Sequence, residues 1–180
     1  MNQPRQYPSS RYAWYMVIVL TIAYILSFVD RYILGLLIEP IKADLGFSDF
    51  QMGLLLGPAF AIFYATMGLP LGWLADRKRR TVIVSVGIAV WSLATVASGL
   101  AKNFWQLFTA RFTVGAGEAA LSPCAMSMIS DSFPRERRGR PSAFYSAALS
   151  LGAGIAALLS AAILTWAKTV PSVSVPLIGE

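Results

Sequence analysis

The chain has 180 residues, 56% of them hydrophobic, with a formal net charge of +6 and a mean hydropathy of +0.60. The apolar share exceeds the about 45–50% usual for a soluble domain. With no histidine and one cysteine, Cys124, the chain offers no imidazole base, no disulfide and no CxxC metal motif, so neither a metal site nor a cofactor is expected.

Residues 1–12 read as a polar amino-terminal tail. The first apolar run extends from Ala13 to Ile38. That exceeds the roughly 7–15-residue apolar core of a signal peptide, and no small-residue cleavage site follows it. Four more runs follow: Phe50 to Leu74, Thr81 to Leu100, Phe104 to Met128, and Pro141 to Ala167. A bilayer core about 30 Å thick needs about 20 apolar residues in helix. Backbone polar groups cannot stay unpaired in lipid, and no alternating segments of about 10 residues suggest a barrel. The expectation is therefore an all-α membrane protein with five transmembrane helices over residues 13–167. Residues 168–180, with Pro171 and Pro176, read as the start of an external loop and suggest a fragment or a truncated reading frame.

The basic residues set an expected orientation. The tail carries Arg5 and Arg11, the loop after the second run Arg77, Lys78, Arg79 and Arg80, and the loop after the fourth Arg135, Arg137, Arg138 and Arg140. These ten lie on one side, against Lys42, Lys102 and Lys168 on the other. Cytoplasmic loops are enriched in Lys and Arg, so the amino terminus is expected in the cytoplasm and the chain in a bacterial inner (plasma) membrane. A sequence pI near 9.8 could suggest nucleic acid, but the basic residues are split among three loops and nucleic-acid binding is not expected.

Small residues let helices approach closely in lipid. The second run carries Gly53 and Gly57, then Gly68 and Gly72, at GxxxG spacing, with Pro58 and Pro70 expected to bend it. The fourth has Gly115, Gly117 and Pro123, and the fifth Gly152 and Gly154. Helix packing is the plain reading of most of these glycines. Gly115-Ala-Gly117-Glu-Ala-Ala120 fits G-x-G-x-x-A, but it lies within an apolar helix rather than after a strand, so a dinucleotide site is rejected.

Asp30, Arg31, Arg111 and Glu118 fall inside the apolar runs. A charge at the bilayer centre costs about 2.5–3.5 kcal/mol on insertion scales, so such groups normally face a bundle interior or aqueous cavity and pair with one another. Arg111 and Glu118 share one helix face about 10 Å apart along the axis, with Gly115 leaving room nearby. Tyr24, Ser27 and Arg31 form a polar stripe on the first helix, with Asp30 beside it. Asp30 and Arg111 fall at similar depth, which predicts an ion pair between them, with Glu118 deeper. Two readings stand: static helix ties, or an ion or proton relay through Asp30, Glu118 and Arg111. No nucleophile–base pair supports an enzyme.

Gly72-Trp-Leu-Ala-Asp76-Arg77-Lys78-Arg79-Arg80 resembles the signature after the second helix of the major facilitator superfamily, G-x-x-x-D-R-x-G-R-R. Gly72, Asp76, Arg77 and Arg80 match, while Arg79 replaces the usual glycine and Thr81 the last basic residue. Arg111 through Glu118 is similar to the family's arginine-and-glycine motif in the fourth helix. Asp30-Arg31, Gly117-Glu118 and Ser130-Asp131-Ser132-Phe133-Pro134 with Arg138 look like the spinster-like branch; organic-anion symporters share several of these features. The antiporters' glycine-proline motif is absent, since Gly152-Ala-Gly154-Ile lacks the proline.

The resemblance implies twelve helices in two six-helix halves of inverted repeats, with a midplane site lined by the first and fourth helices. This chain would supply five helices of one half, with the carboxyl-terminal half missing. The implied activity is proton-coupled secondary transport by alternating access. The substrate would be a lysolipid or another amphiphilic or organic anion, held by Arg31, Arg111, Tyr24 and Ser27. Gly72, Asp76, Arg77 and Arg80 would gate the cytoplasmic side. The alternative is a truncated, non-transporting membrane remnant. Lipid, protons and a small-molecule substrate are the expected partners.

Overall fold

A computed structural model describes residues 7–169, the last three by backbone alone. Arg5, the side chain of Lys168 and the proline-bearing tail thus lie outside the described residues. Helix α1 (Ser10–Leu36) is followed by a short α2 (Ile38–Leu45). Gly46 closes α2 with φ +65°, a left-handed conformation that glycine adopts without a Cβ penalty. Ser48 then opens α3 (Asp49–Leu56) with a capping box: its hydroxyl accepts from the Gln51 N–H, and Gln51 accepts from the Ser48 N–H. Lys42 pairs with Asp49 across this turn, and Asp49 holds the ammonium above its ordinary range, first by the hydrogen bond and then by its charge.

The second apolar run is two helices in line, α3 and α4 (Pro58–Arg77). The interruption falls at Gly57, with Pro58 in the first turn, where its missing N–H leaves no further bond unmade. Pro70 lies inside α4, which continues through it. Helix α5 (Arg80–Gly99) follows, and Asn103 caps α6 (Phe104–Glu118) by accepting from the Gln106 N–H at 3.0 Å.

The fourth run departs from the single helix expected over Phe104 to Met128. It is α6 and then α7 (Leu121–Ser132), interrupted at Ala119 and Ala120. Pro123 accounts for this, because it has no N–H for the carbonyl of Ala119 and its ring crowds that carbonyl. The Ala120 N–H instead reaches Gly117 O at 3.3 Å, a tighter turn. The fifth run is α8 (Gly139–Ser146) followed by α9 (Ala148–Thr169). Four segments among the described residues are single or in-line helices long and apolar enough to cross a membrane: Ser10–Leu36, Asp49–Arg77, Arg80–Gly99 and Gly139–Trp166.

Helix α1 packs along α8 and α9, while α6 packs between α4 and α5. The shared core gathers Val17, Val114, Leu121, Cys124, Ala125 and Ile129, all fully buried. Outside it the apolar surface is bare: Leu69, Leu93 and Leu158 are 82%, 72% and 74% exposed. In water such a surface would be an aggregation liability; in lipid it is the solvated face.

Glycine brings three of these contacts close. A Cβ on Gly152 would stand 2.5 Å from the Phe28 Cβ, one on Gly115 2.8 Å from Phe60 O, and one on Gly117 2.9 Å from the Trp91 N. Gly87, on α5, is the counterpart of Gly117, with Gly117 O at 2.8 Å. The GxxxG pairs of the second run behave otherwise. Around Gly53, Gly68 and Gly72, as around Gly154, nothing lies within 4 Å, and Gly57 meets only its own helix. Their spacing therefore makes no helix contact among the described residues, and Gly115 serves the α4–α6 contact rather than leaving room beside Arg111.

Candidate functional site

The ionisable residues of the apolar runs converge in the space between α1 and α6. The Glu118 Oε2 accepts from the Arg31 guanidinium at 2.7 Å and from the Ser27 hydroxyl at 2.7 Å. Ser27 and Arg31 stand one turn apart on α1, so a single carboxylate oxygen on α6 bridges both. The Arg31 side chain keeps 29% of its exposure while that of Glu118 has none. Aromatic rings frame the cation: the Arg31 guanidinium carbon lies 4.2 Å from the centre of the Phe60 ring, 5.0 Å from that of Phe28 and 5.2 Å from that of Tyr64. Ring faces attract a cation electrostatically, so α4 contributes to the site through Phe60 and Tyr64.

From the adjacent position on α1, the expected pairing of Asp30 with Arg111 is present at 3.8 Å, without a hydrogen bond between them. The hydrogen bond to Asp30 comes from Thr95 on α5, whose hydroxyl lies 2.9 Å from Oδ2 and 3.0 Å from the Trp91 carbonyl. One hydroxyl proton is shared between those two acceptors. The pairing differs from expectation in its partners: Glu118 is not a separate deeper carboxylate but the tighter half of a second pair, with Arg31. The four charges form two cross-helix pairs, Asp30 with Arg111 and Arg31 with Glu118, so that neighbours on α1 reach residues about two turns apart on α6.

The pairs leave capacity unused. Glu118 Oε1, Arg31 Nε and Arg111 Nε are buried without a hydrogen-bond partner among the described residues. Tyr24 stacks on Tyr145 of α8 with centroids 4.6 Å apart and meets Phe28 edge-on at 4.8 Å. The structure thus brings Tyr24, Ser27, Asp30, Arg31, Arg111 and Glu118 into one neighbourhood. Sequence reasoning missed Thr95, Phe60, Tyr64 and Tyr145. A threonine or an aromatic ring in an apolar run carries no signal of its own, and each is recruited by helix packing.

The loop motif is a separate locus at the α4–α5 turn. Arg80 pairs with Asp131 at the end of α7 and donates from Nε to the Ala75 carbonyl at 3.1 Å. The Arg77 guanidinium lies 4.0 Å over the Trp73 ring, and Asp76 is exposed. Arg80 therefore ties the motif to α7. Nearby, Arg138 donates to the Phe133 carbonyl at 2.8 Å, fixing the turn after α7.

Long apolar helices with an outward lipid-facing surface and a buried, cross-paired charge cluster define a polytopic integral membrane protein. The chain belongs to the Major Facilitator Superfamily, whose profile matches residues 20–173. Its relatives include a probable L-galactonate transporter of Escherichia coli strain K12, 34% identical over 148 residues, covering 82% of this chain and 32% of the relative. An MFS-type efflux pump of Mycolicibacterium smegmatis is 36% identical over 154 residues, covering 86% of this chain and 36% of the pump. Protein spinster homolog 1 of Xenopus tropicalis is 33% identical over 149 residues, covering 82% and 28%. Among solved structures, a bacterial homolog of the human lysosomal transporter Spinster, in an inward-facing and unoccupied conformation, superposes with a TM-score of 0.83 at 39% identity. That match covers 86% of this chain and 32% of the homolog. The spinster-like likeness read from the motifs is thus met by both comparisons. The chain spans about a third of the length of these relatives.

Proposed function

We propose that residues 13–167 form most of the amino-terminal half of a secondary active transporter. It carries an amphiphilic or organic anion by alternating access, coupled to protons, and works together with a second helical half. The observation that carries this reading is the buried Glu118 carboxylate, bound through one oxygen to Ser27 and Arg31 with the other oxygen unpartnered. A proton on that free oxygen neutralises Glu118 and weakens its hold on Arg31. Arg31, still partly exposed, and Arg111, held to Asp30 only at 3.8 Å, then offer two cations to an anionic substrate. Asp30 and Glu118 are the proton-handling groups, and Tyr24 and Ser27 shape the substrate side. Gly72, Asp76, Arg77 and Arg80 act in cytoplasmic gating, with the amino terminus on that side of an inner membrane as the loop charges favour.

Two substrate classes fit. The L-galactonate in one relative's name is a carboxylate, and the spinster-like resemblance of the motifs implies an amphiphile such as a lysolipid. Thermal stabilisation of the full-length protein by carboxylates and by lysolipids separates the two. Coupling is tested in proteoliposomes of the full-length protein bearing Asp30→Asn or Glu118→Gln. Loss of uptake driven by a pH gradient is expected in Glu118→Gln, whatever the outcome for Asp30→Asn, and unchanged uptake in both rules the relay out.

A further inference from the structure

A groove of ≈ 570 Å³ runs along the outer surface where α4, α5 and α6 meet. Its walls are two helical stripes: Met67, Leu71 and Leu74 on α4, and Val82, Val86 and Val90 on α5. Gly87 and Gly117 form part of its lining where the backbones of α5 and α6 touch. Among its lining residues only Lys78 and Arg79 are charged, and both stand at the α4–α5 turn, at one end. The other two cations of that turn are engaged, Arg77 over Trp73 and Arg80 with Asp131. Lys78 and Arg79 are exposed, and their side chains have no ion-pair or hydrogen-bond partner among the described residues.

The dimensions specify the occupant. Each stripe runs over twelve residues, Met67 to Lys78 and Arg79 to Val90, whose eleven helical steps cover about 16 Å. That is about half of a hydrocarbon core about 30 Å thick, the depth of one leaflet. A groove that is apolar for one leaflet's depth and cationic at its interfacial end is complementary to an amphiphile with a negative headgroup. We propose that this groove holds an anionic bilayer phospholipid, one acyl chain lying between the α4 and α5 stripes and the phosphate against Lys78 and Arg79. The site lies on the lipid face, apart from the α1–α6 charge cluster. It requires only that the chain spans a bilayer, and it stands whether or not the transport reading does.

The experiment is native mass spectrometry of the purified full-length protein titrated with dioleoyl phosphatidylglycerol, dioleoyl phosphatidylcholine or sn-glycerol 3-phosphate. Phosphatidylglycerol is expected to be retained, phosphatidylcholine about tenfold more weakly, and glycerol phosphate not to compete. Lys78→Gln with Arg79→Gln should weaken phosphatidylglycerol about thirtyfold, as two interfacial cations are lost. Val86→Trp, which fills the groove and keeps both charges, should weaken it at least tenfold. Arg137→Gln with Arg140→Gln, at another basic loop, should leave it unchanged. Undiminished phosphatidylglycerol binding in Val86→Trp overturns the proposal. So does equal competition by glycerol phosphate, which defines a free-phosphate site, and so does absence of any retained lipid, which means that protein closes the groove.

Discussion

Glu118 on α6 and Arg31 on α1 meet at 2.7 Å, and the same carboxylate oxygen takes the Ser27 hydroxyl. Lipid cannot solvate either charge, so the pair holds the two helices together for as long as both stay ionised. Removing one partner from such a pair leaves an uncompensated buried charge, whereas removing both removes the desolvation cost as well.

A double-mutant cycle follows from that asymmetry. Arg31→Met alone should destabilise the protein by about 2–4 kcal/mol, because Glu118 is then buried with Ser27 alone as donor. Arg31→Met with Glu118→Met should recover most of that loss. Thermal unfolding in detergent measures both. Additive losses in the double variant would mean that the two residues act independently.

Thr95 sets the second pair. Its hydroxyl is the hydrogen-bond donor to Asp30 in the structure, while Arg111 stands off at 3.8 Å. Thr95→Val keeps the side-chain shape and removes the donor, so it should cost about 1.5–3 kcal/mol, as for other hydrogen bonds to charged groups. Thr95→Ser should restore most of the loss. Chemical denaturation in mixed micelles provides the comparison.

The glycines divide by contact rather than by motif. Gly117→Ala sets a methyl 2.9 Å from a backbone nitrogen and 3.0 Å from Gly87 O. Neither backbone atom can yield cheaply, and a loss of at least about 2 kcal/mol is expected. Gly68→Ala enters open space in a helix and should be neutral or stabilising by up to about 1 kcal/mol. Unfolding midpoints for the two variants should shift in opposite directions or differ widely.

Arg80 and Asp131 join the motif turn to the end of α7. Both are partly exposed, so Asp131→Asn should cost at most about 1 kcal/mol of stability. Its effect should appear instead in gating, as altered labelling of a cysteine placed at the α4–α5 turn. The swap Arg80→Asp with Asp131→Arg should restore the wild-type labelling rate.

The helices and the buried charge cluster are legible in the sequence. The apolar runs located the helices, because a bilayer leaves the backbone no partner but itself. The unfavourable placement of Asp30, Arg31, Arg111 and Glu118 marked the buried cluster, and helix register placed Asp30 level with Arg111. What escaped was decided by packing between helices. That Glu118 takes Arg31 follows from where the bundle sets α1 relative to α6, which no spacing within either helix encodes. The break at Ala119 and Ala120 was available from Pro123, but apolar content masked it. The GxxxG spacing of the second run pointed to a contact that the described helices do not make, whereas Gly87, with no motif around it, makes one.

The most direct test uses one variant and two assays in proteoliposomes of the full-length protein, with the substrate chosen by the stabilisation screen. Glu118→Gln preserves the shape of the side chain and an oxygen to accept from Ser27, but it cannot exchange a proton. Uptake driven by a pH gradient should be lost while counterflow exchange of substrate, with no gradient, persists. Gradient-driven uptake at the wild-type rate in Glu118→Gln would exclude Glu118 as the proton-exchanging group.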